Sequence, residues 1–71
     1  MTPQLPGISS RRAIRAFEKA GFWVIKSKKH IVMTNGKRYL IIPRANQINA
    51  YTMAGIIKDS GLSIDEFKRL L

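Results

Sequence analysis

Between Ser9 and Gly21 the apolar residues Ala13, Ile14, Phe17 and Ala20 recur three and four positions apart, with Arg11, Arg12, Arg15 and Lys19 interleaved. That spacing gathers apolar side chains on one face of a helix and leaves the charged ones on the other. Ser9 or Ser10 can cap its first turn, and Gly21 stops it, because glycine adopts the left-handed backbone at which helices commonly end. Ahead of it Pro3, Pro6 and Gly7 predict an irregular lead-in, from which Leu5 and Ile8 can reach the core. After Gly21 the pattern changes to Phe22-Trp23-Val24-Ile25, an aromatic and β-branched run that predicts a strand.

The next two strands can be set in register. Asn35-Gly36 signals a two-residue hairpin turn, because both central residues of such a turn must accept positive φ. Thr34 then faces Lys37, Val32 faces Tyr39 and His30 faces Ile41, and these six share one side of the sheet. Ile31, Met33, Leu40 and Ile42 take the other side, with Lys29 and Arg38 at its ends, and form the expected core face. His30 therefore opens the second strand on the more polar face. Pro43 ends the third strand, and Arg44 to Ile48 form a loop. Asn49 can cap a second helix from about Ala50 to Ser60, with either Tyr51, Ala54 and Ile57 or Met53 and Ile56 turned inward. After Gly61, Ser63 and Glu66 stand at capping-box spacing, and Leu62 can staple onto Phe67. The expected fold is α+β, ordered α-β-β-β-α with a short terminal helix. Its three-stranded antiparallel sheet should carry the helices on one face. Residues 1–71 read as one domain without repeats or low-complexity segments.

At 71 residues the chain is near the size below which a core usually needs outside help, yet it has no cysteine and one histidine. Disulfides and thiolate metal sites are excluded, and no metal or other cofactor is expected. No apolar run of 18 residues is present and the N-terminus lacks a secretory pattern, so no membrane association and a cytoplasmic location are expected. The net charge of +9 is unevenly spread: residues 1–44 hold ten Lys or Arg against Glu18 alone, whereas residues 45–71 hold three of each sign. A positive field confined to part of a small domain attracts polyanions, so nucleic acid or an acidic protein is the expected partner.

Phosphate-binding loops, nucleophile elbows and zinc-protease helices are all missing from the sequence. Asp65 and Glu66 sit at a helix start, where acids complement the helix dipole. The remaining chemical signal is Lys28-Lys29-His30. Histidine is the side chain whose ordinary pKa lies nearest physiological pH. It can take the proton from a ribose 2′-hydroxyl, which then attacks the adjacent phosphate, while an ammonium stabilises the charge on the phosphoryl oxygens. His30 is thus the candidate catalytic residue, and Lys28, Lys29 and Lys37 are candidate RNA ligands. Arg11 and Arg12, with Arg15 beside them, are candidate phosphate contacts on the first helix. Tyr39 can stack on bases, whereas Trp23 is expected to pack under or beside a helix.

Taken together, these pieces resemble the HicA family of small bacterial toxins. The resemblance runs from about Leu5 to Leu71 and rests on several short segments. These are Ala20-Gly21-Phe22, His30, Ile42-Pro43, the Thr52 to Ile57 stretch and the ending Gly61-Leu62-Ser63-Ile64-Asp65-Glu66-Phe67. It implies a double-stranded-RNA-binding-like fold, endoribonuclease activity on messenger RNA with His30 catalytic, and a HicB-type antitoxin as partner. Lys28 and Lys29 stand where the family usually has Gly-Ser before its histidine, and Ala45 stands where many members have a second histidine. Two alternatives accompany this reading: a non-catalytic RNA-binding module, and an inactive relative that only binds an antitoxin.

Overall fold

The computed structural model describes residues 5–71, so Pro3 of the lead-in lies outside the described residues. Six elements follow in the order α1 (Ser10–Lys19), β1 (Trp23–Ser27), β2 (Ile31–Thr34), β3 (Tyr39–Ile42), α2 (Ala50–Ser60) and α3 (Ile64–Leu70). The strands form one antiparallel sheet in the order β1-β2-β3, so β1 and β3 are its edges. The α+β, α-β-β-β-α-α architecture is the one expected from the sequence. Among the described residues no helix is long and apolar enough to cross a membrane.

Packing is one-sided. Ile31, Met33, Leu40 and Ile42 are all buried. They meet Ala13, Ala16 and Phe17 of α1, Met53, Ile56 and Ile57 of α2, and Phe67 of α3 in a single core cluster. Of the two faces offered by α2, Met53, Ile56 and Ile57 turn inward, while Tyr51 is exposed. Phe17 is the centre of the aromatic packing, with ring centroids 5.0 Å from Phe67 and 5.9 Å from Phe22, the latter edge-on. Offset and edge-on arrangements suit the aromatic quadrupole. The lead-in is tied to the segment before α2 by an isolated bridge, Ile48 N–H donating to the Ile8 carbonyl at 2.7 Å.

The helix ends follow the expected chemistry. Ser9 caps α1, its hydroxyl accepting from Arg12 N–H, and Asn49 caps α2 by accepting from Tyr51 and Thr52 N–H. The Ser63–Glu66 capping box is complete. Glu66 is held below the usual carboxylate range first by the Ser63 backbone N–H and then by the Ser63 hydroxyl.

The β2–β3 connection departs from the expected turn. Thr34 pairs with Tyr39, Met33 with Leu40, Val32 with Ile41 and Ile31 with Ile42, so Asn35–Arg38 form a four-residue loop. Among the described residues only glycines have positive φ, so Asn35 does not enter the conformation that the two-residue turn requires. Its side chain instead accepts from the N–H groups of Lys37 and Arg38, and the Thr34 hydroxyl accepts from Gly36 N–H and donates to the Arg38 carbonyl. These side-chain bonds satisfy the backbone that ladder pairing would have used. A shift of two residues leaves the side chains of β2 and β3 on their expected faces, because the period of a strand is two. Lys29, expected at the end of the core face, instead lies in the bend before β2 and lines the open side with His30. Arg38 then reaches across to donate to the Asp59 carbonyl at 3.1 Å, covering the C-terminal end of α2.

Two further expectations are corrected. The first strand runs from Trp23 to Ser27 and is exposed along its length. Phe22, just before it, takes the core position against Phe17, so Trp23 points to the opposite face and is 50% exposed instead of packing under a helix. His30 does not open β2: it ends the Lys28–His30 bend that joins β1 to β2.

Candidate nucleic-acid interface

The helices cover one face of the sheet, and among the described residues the other is left open. Trp23, Tyr39 and Ile41 are 50%, 66% and 61% exposed on it. The charge is as one-sided as the packing. All four carboxylates lie on helices: Glu18 on α1, Asp59 on α2, Asp65 and Glu66 on α3. The span from Phe22 to Ile42 carries five Lys or Arg and no acid. Arg38 turns to the end of α2, and Lys26, Lys28, Lys29 and Lys37 give the strands and their connections a positive field.

At one end of that face Lys26, Lys28, Lys29 and His30 surround an open concavity of about 430 Å³ whose apolar floor is Val32 and Ile41. Strict alternation along β1 would put Lys26 on the opposite face from Trp23. The β-bulge between Val24 and Lys26 inserts Ile25 as an extra residue, which brings Lys26 opposite Val32 and onto the face that Trp23 shares with Thr34. Lys26 was missed by reading the sequence, because nothing in the residue types there announces a bulge.

Arg44 is the second residue that sequence reasoning missed. From just beyond Pro43 its guanidinium returns to the β1–β2 bend. Nε donates to the Lys28 carbonyl at 2.7 Å, and Nη2 donates to the Ser27 carbonyl at 3.0 Å and the Ser27 hydroxyl at 2.7 Å. A planar fork with several donors suits this task, and a lysine would lack the geometry. Arg44 is itself anchored through its neighbours. Ser10, buried at the start of α1, donates its hydroxyl to the Pro43 carbonyl and accepts from Ala45 N–H at 2.6 Å. Its backbone N–H donates to the Ala45 carbonyl at 3.0 Å. The buried N-terminus of α1 thus fixes the segment carrying Arg44, and Arg44 fixes the backbone leading into His30. The serine pair Ser9-Ser10 was the available signal: only one can cap, which left the other free for a tertiary role.

The structure brings Lys28, Lys29 and His30 together, and leaves the other expected site residues elsewhere. Tyr39 is on the same face as the concavity but pairs with Thr34, at the far end of β2 from His30. Lys37 is in the exposed Asn35–Arg38 loop beside it. Tyr39 stands across from Thr34, the last residue of β2, whereas His30 precedes its first, so Tyr39 is not the neighbour of His30 that the two-residue turn would have made it. Arg11 and Arg12 are exposed on α1. Arg12 donates to the Gly7 carbonyl at 3.3 Å. Arg11, Arg15 and Arg44 line an open groove beside the start of α1.

Chemically, the concavity combines a carbon floor, three ammonium groups and one imidazole. No family model and no curated protein matches this chain. The likeness to HicA toxins therefore rests on the residues quoted for it, and nothing identifies the chain as a member of that family. Among the described residues no group of three or more His, Cys, Asp or Glu is gathered as a metal site would need.

Proposed function

We propose that this protein is an endoribonuclease acting on messenger RNA, the toxin half of a HicA-type toxin–antitoxin pair, with His30 as its general acid–base group. One observation carries the reading. The sole histidine of the chain stands in a cationic concavity on the one sheet face that the helices leave open and that holds no carboxylate. A polyanion is drawn to that face and meets the imidazole there.

In the proposed reaction His30 takes the proton of a ribose 2′-hydroxyl, and the oxygen attacks the adjacent phosphorus. The bond to the 5′-oxygen breaks, leaving a 2′,3′-cyclic phosphate on one fragment, and the departing oxygen takes a proton from solvent. Lys28 and Lys29 stabilise the charge that builds on the phosphoryl oxygens. The protein would work in the cytoplasm, need no metal and be silenced by an acidic HicB-type antitoxin that covers the same face. Opposite charges would make that association fast and salt-sensitive.

A non-catalytic RNA-binding module is the second reading. It is favoured by the fact that the concavity holds a single imidazole and otherwise only lysines as titratable groups. Cleavage of RNA by the purified protein, with and without chelator, separates the two. Cleavage that persists in chelator and disappears in a folded His30→Ala variant supports the enzyme. Undiminished cleavage by that variant refutes the role of His30, and RNA binding without cleavage leaves the module.

A further inference from the structure

The aromatic end of the open face is not used by the reaction above. Trp23 pairs with Thr34, and Thr34 pairs with Tyr39, so the three residues form one row across β1, β2 and β3. Directly opposed residues project to the same side. The two rings therefore flank the Thr34 position on the open face, on backbones two strand spacings or about 10 Å apart. Their faces are not consumed by the core, whose aromatic contacts are those of Phe17 with Phe22 and Phe67. The Trp23 ring reaches toward the Asn35–Arg38 loop, where a Cβ added to Gly36 would lie 3.9 Å from its Cη2. Exposed apolar surface gathered on one face, here Trp23, Tyr39 and Ile41, marks an interaction site where scattered side chains do not.

We propose that Trp23 and Tyr39 form a stacking platform for two unpaired bases of a single-stranded RNA, whose backbone runs from there over Val32 and Ile41 to Lys26 and His30. The proposal rests on the RNA reading above and narrows it to unpaired strands. Two features favour this occupant. Aromatic faces bind bases of any identity, provided the bases are not already stacked in a helix. Lysines stand at both ends of the path, Lys37 in the loop beside Tyr39 and Lys26, Lys28 and Lys29 around His30, and the strands between carry no carboxylate, which complements a phosphate chain. A duplex has no free base faces to offer the rings, so it would use the lysines alone.

Trp23 is the only tryptophan, so its emission reports the platform directly. The test titrates the full chain, carrying His30→Ala to prevent cleavage, with an unstructured RNA oligonucleotide and with a duplex of equal length. Affinity is read in parallel by anisotropy of labelled RNA. The single strand should quench Trp23 and the duplex should not. Trp23→Ala and Tyr39→Ala should each weaken single-strand binding on the order of tenfold to a hundredfold. The salt dependence should stay unchanged, since neither ring touches a phosphate, and Trp23→Phe should restore most of the affinity. Both rings are exposed, so thermal melting should show these variants folded, and Tyr39→Ala keeps the Trp23 reporter as an independent arm. Salt-dependent RNA binding that leaves Trp23 emission and both alanine variants unaffected overturns the platform while leaving the RNA reading intact. Equal quenching by the duplex does the same. Absence of binding to either RNA overturns both, and quenching by an acidic protein alone would make this face a protein interface.

Discussion

Replacing Arg44 with lysine keeps the net charge at +9 and removes the fork that holds the β1–β2 bend. The guanidinium makes three bonds there, to two backbone carbonyls and a hydroxyl, all at 2.7–3.0 Å. A typical net bond contributes about 0.5–1.5 kcal/mol, and water can replace much of it at an exposed site. The expected loss is therefore about 1–2 kcal/mol in all, or roughly 7–13 °C in melting temperature for a domain of this size. The domain should stay folded, because its core does not include Arg44. Activity should suffer more than stability. The bend carries His30, and a misplacement of about 1 Å at a reacting group can cost on the order of 100-fold in rate. Arg44→Lys should thus lower cleavage by about 10- to 100-fold while changing RNA affinity little, since the charge that attracts phosphate is retained. Amide hydrogen exchange across residues 27–30 should accelerate in the same variant. If Arg44 instead acts as a simple phosphate ligand, lysine will serve nearly as well. Full cleavage by Arg44→Lys with unchanged exchange in the bend would refute the positioning role.

Neutralising Lys28 and Lys29 together should weaken RNA binding and reduce the slope of log affinity against log salt by about 0.7 for each phosphate of a single strand that is no longer neutralised. An unchanged slope in the double variant would remove them as phosphate ligands. Phe17→Ala should destabilise the domain by about 3–5 kcal/mol, because it empties the centre of the aromatic cluster. Urea unfolding measures that loss, and a cost under about 1 kcal/mol would contradict the packing described. Because Glu66 is lowered in the folded state, its contribution to stability is complete above the ordinary glutamate range and is lost as pH falls through the lowered value. NMR titration should find it below an unstructured glutamate, and Ser63→Ala should move it only part of the way back, because the backbone N–H that lowers it most remains.

The elements whose physics is local could be read from the residues themselves. α1 follows from three- and four-residue spacing with Ser9 before it and Gly21 after it, and α3 follows from the Ser63–Glu66 box. The core face of the hairpin was also legible. Ile31, Met33, Leu40 and Ile42 alternate with residues that face outward, and that assignment survives a two-residue shift in pairing. The shift itself depended on whether Asn35 would use its backbone or its side chain to make the turn, which residue types leave open.

The candidate site was legible only at Lys28, Lys29 and His30, which are adjacent in sequence. Its other parts join segments far apart in the chain. Arg44 reaches the Ser27–Lys28 carbonyls because Ser10, on another element, fixes the backbone on either side of it. A bulge at Ile25 turns Lys26 toward Val32, and Trp23 faces outward because Phe22 already fills the place against Phe17. Periodicity and capping act over a few residues and leave a mark in the sequence. Register, bulges and competition for a core position are settled by which segments pack together, and only the folded chain decides them.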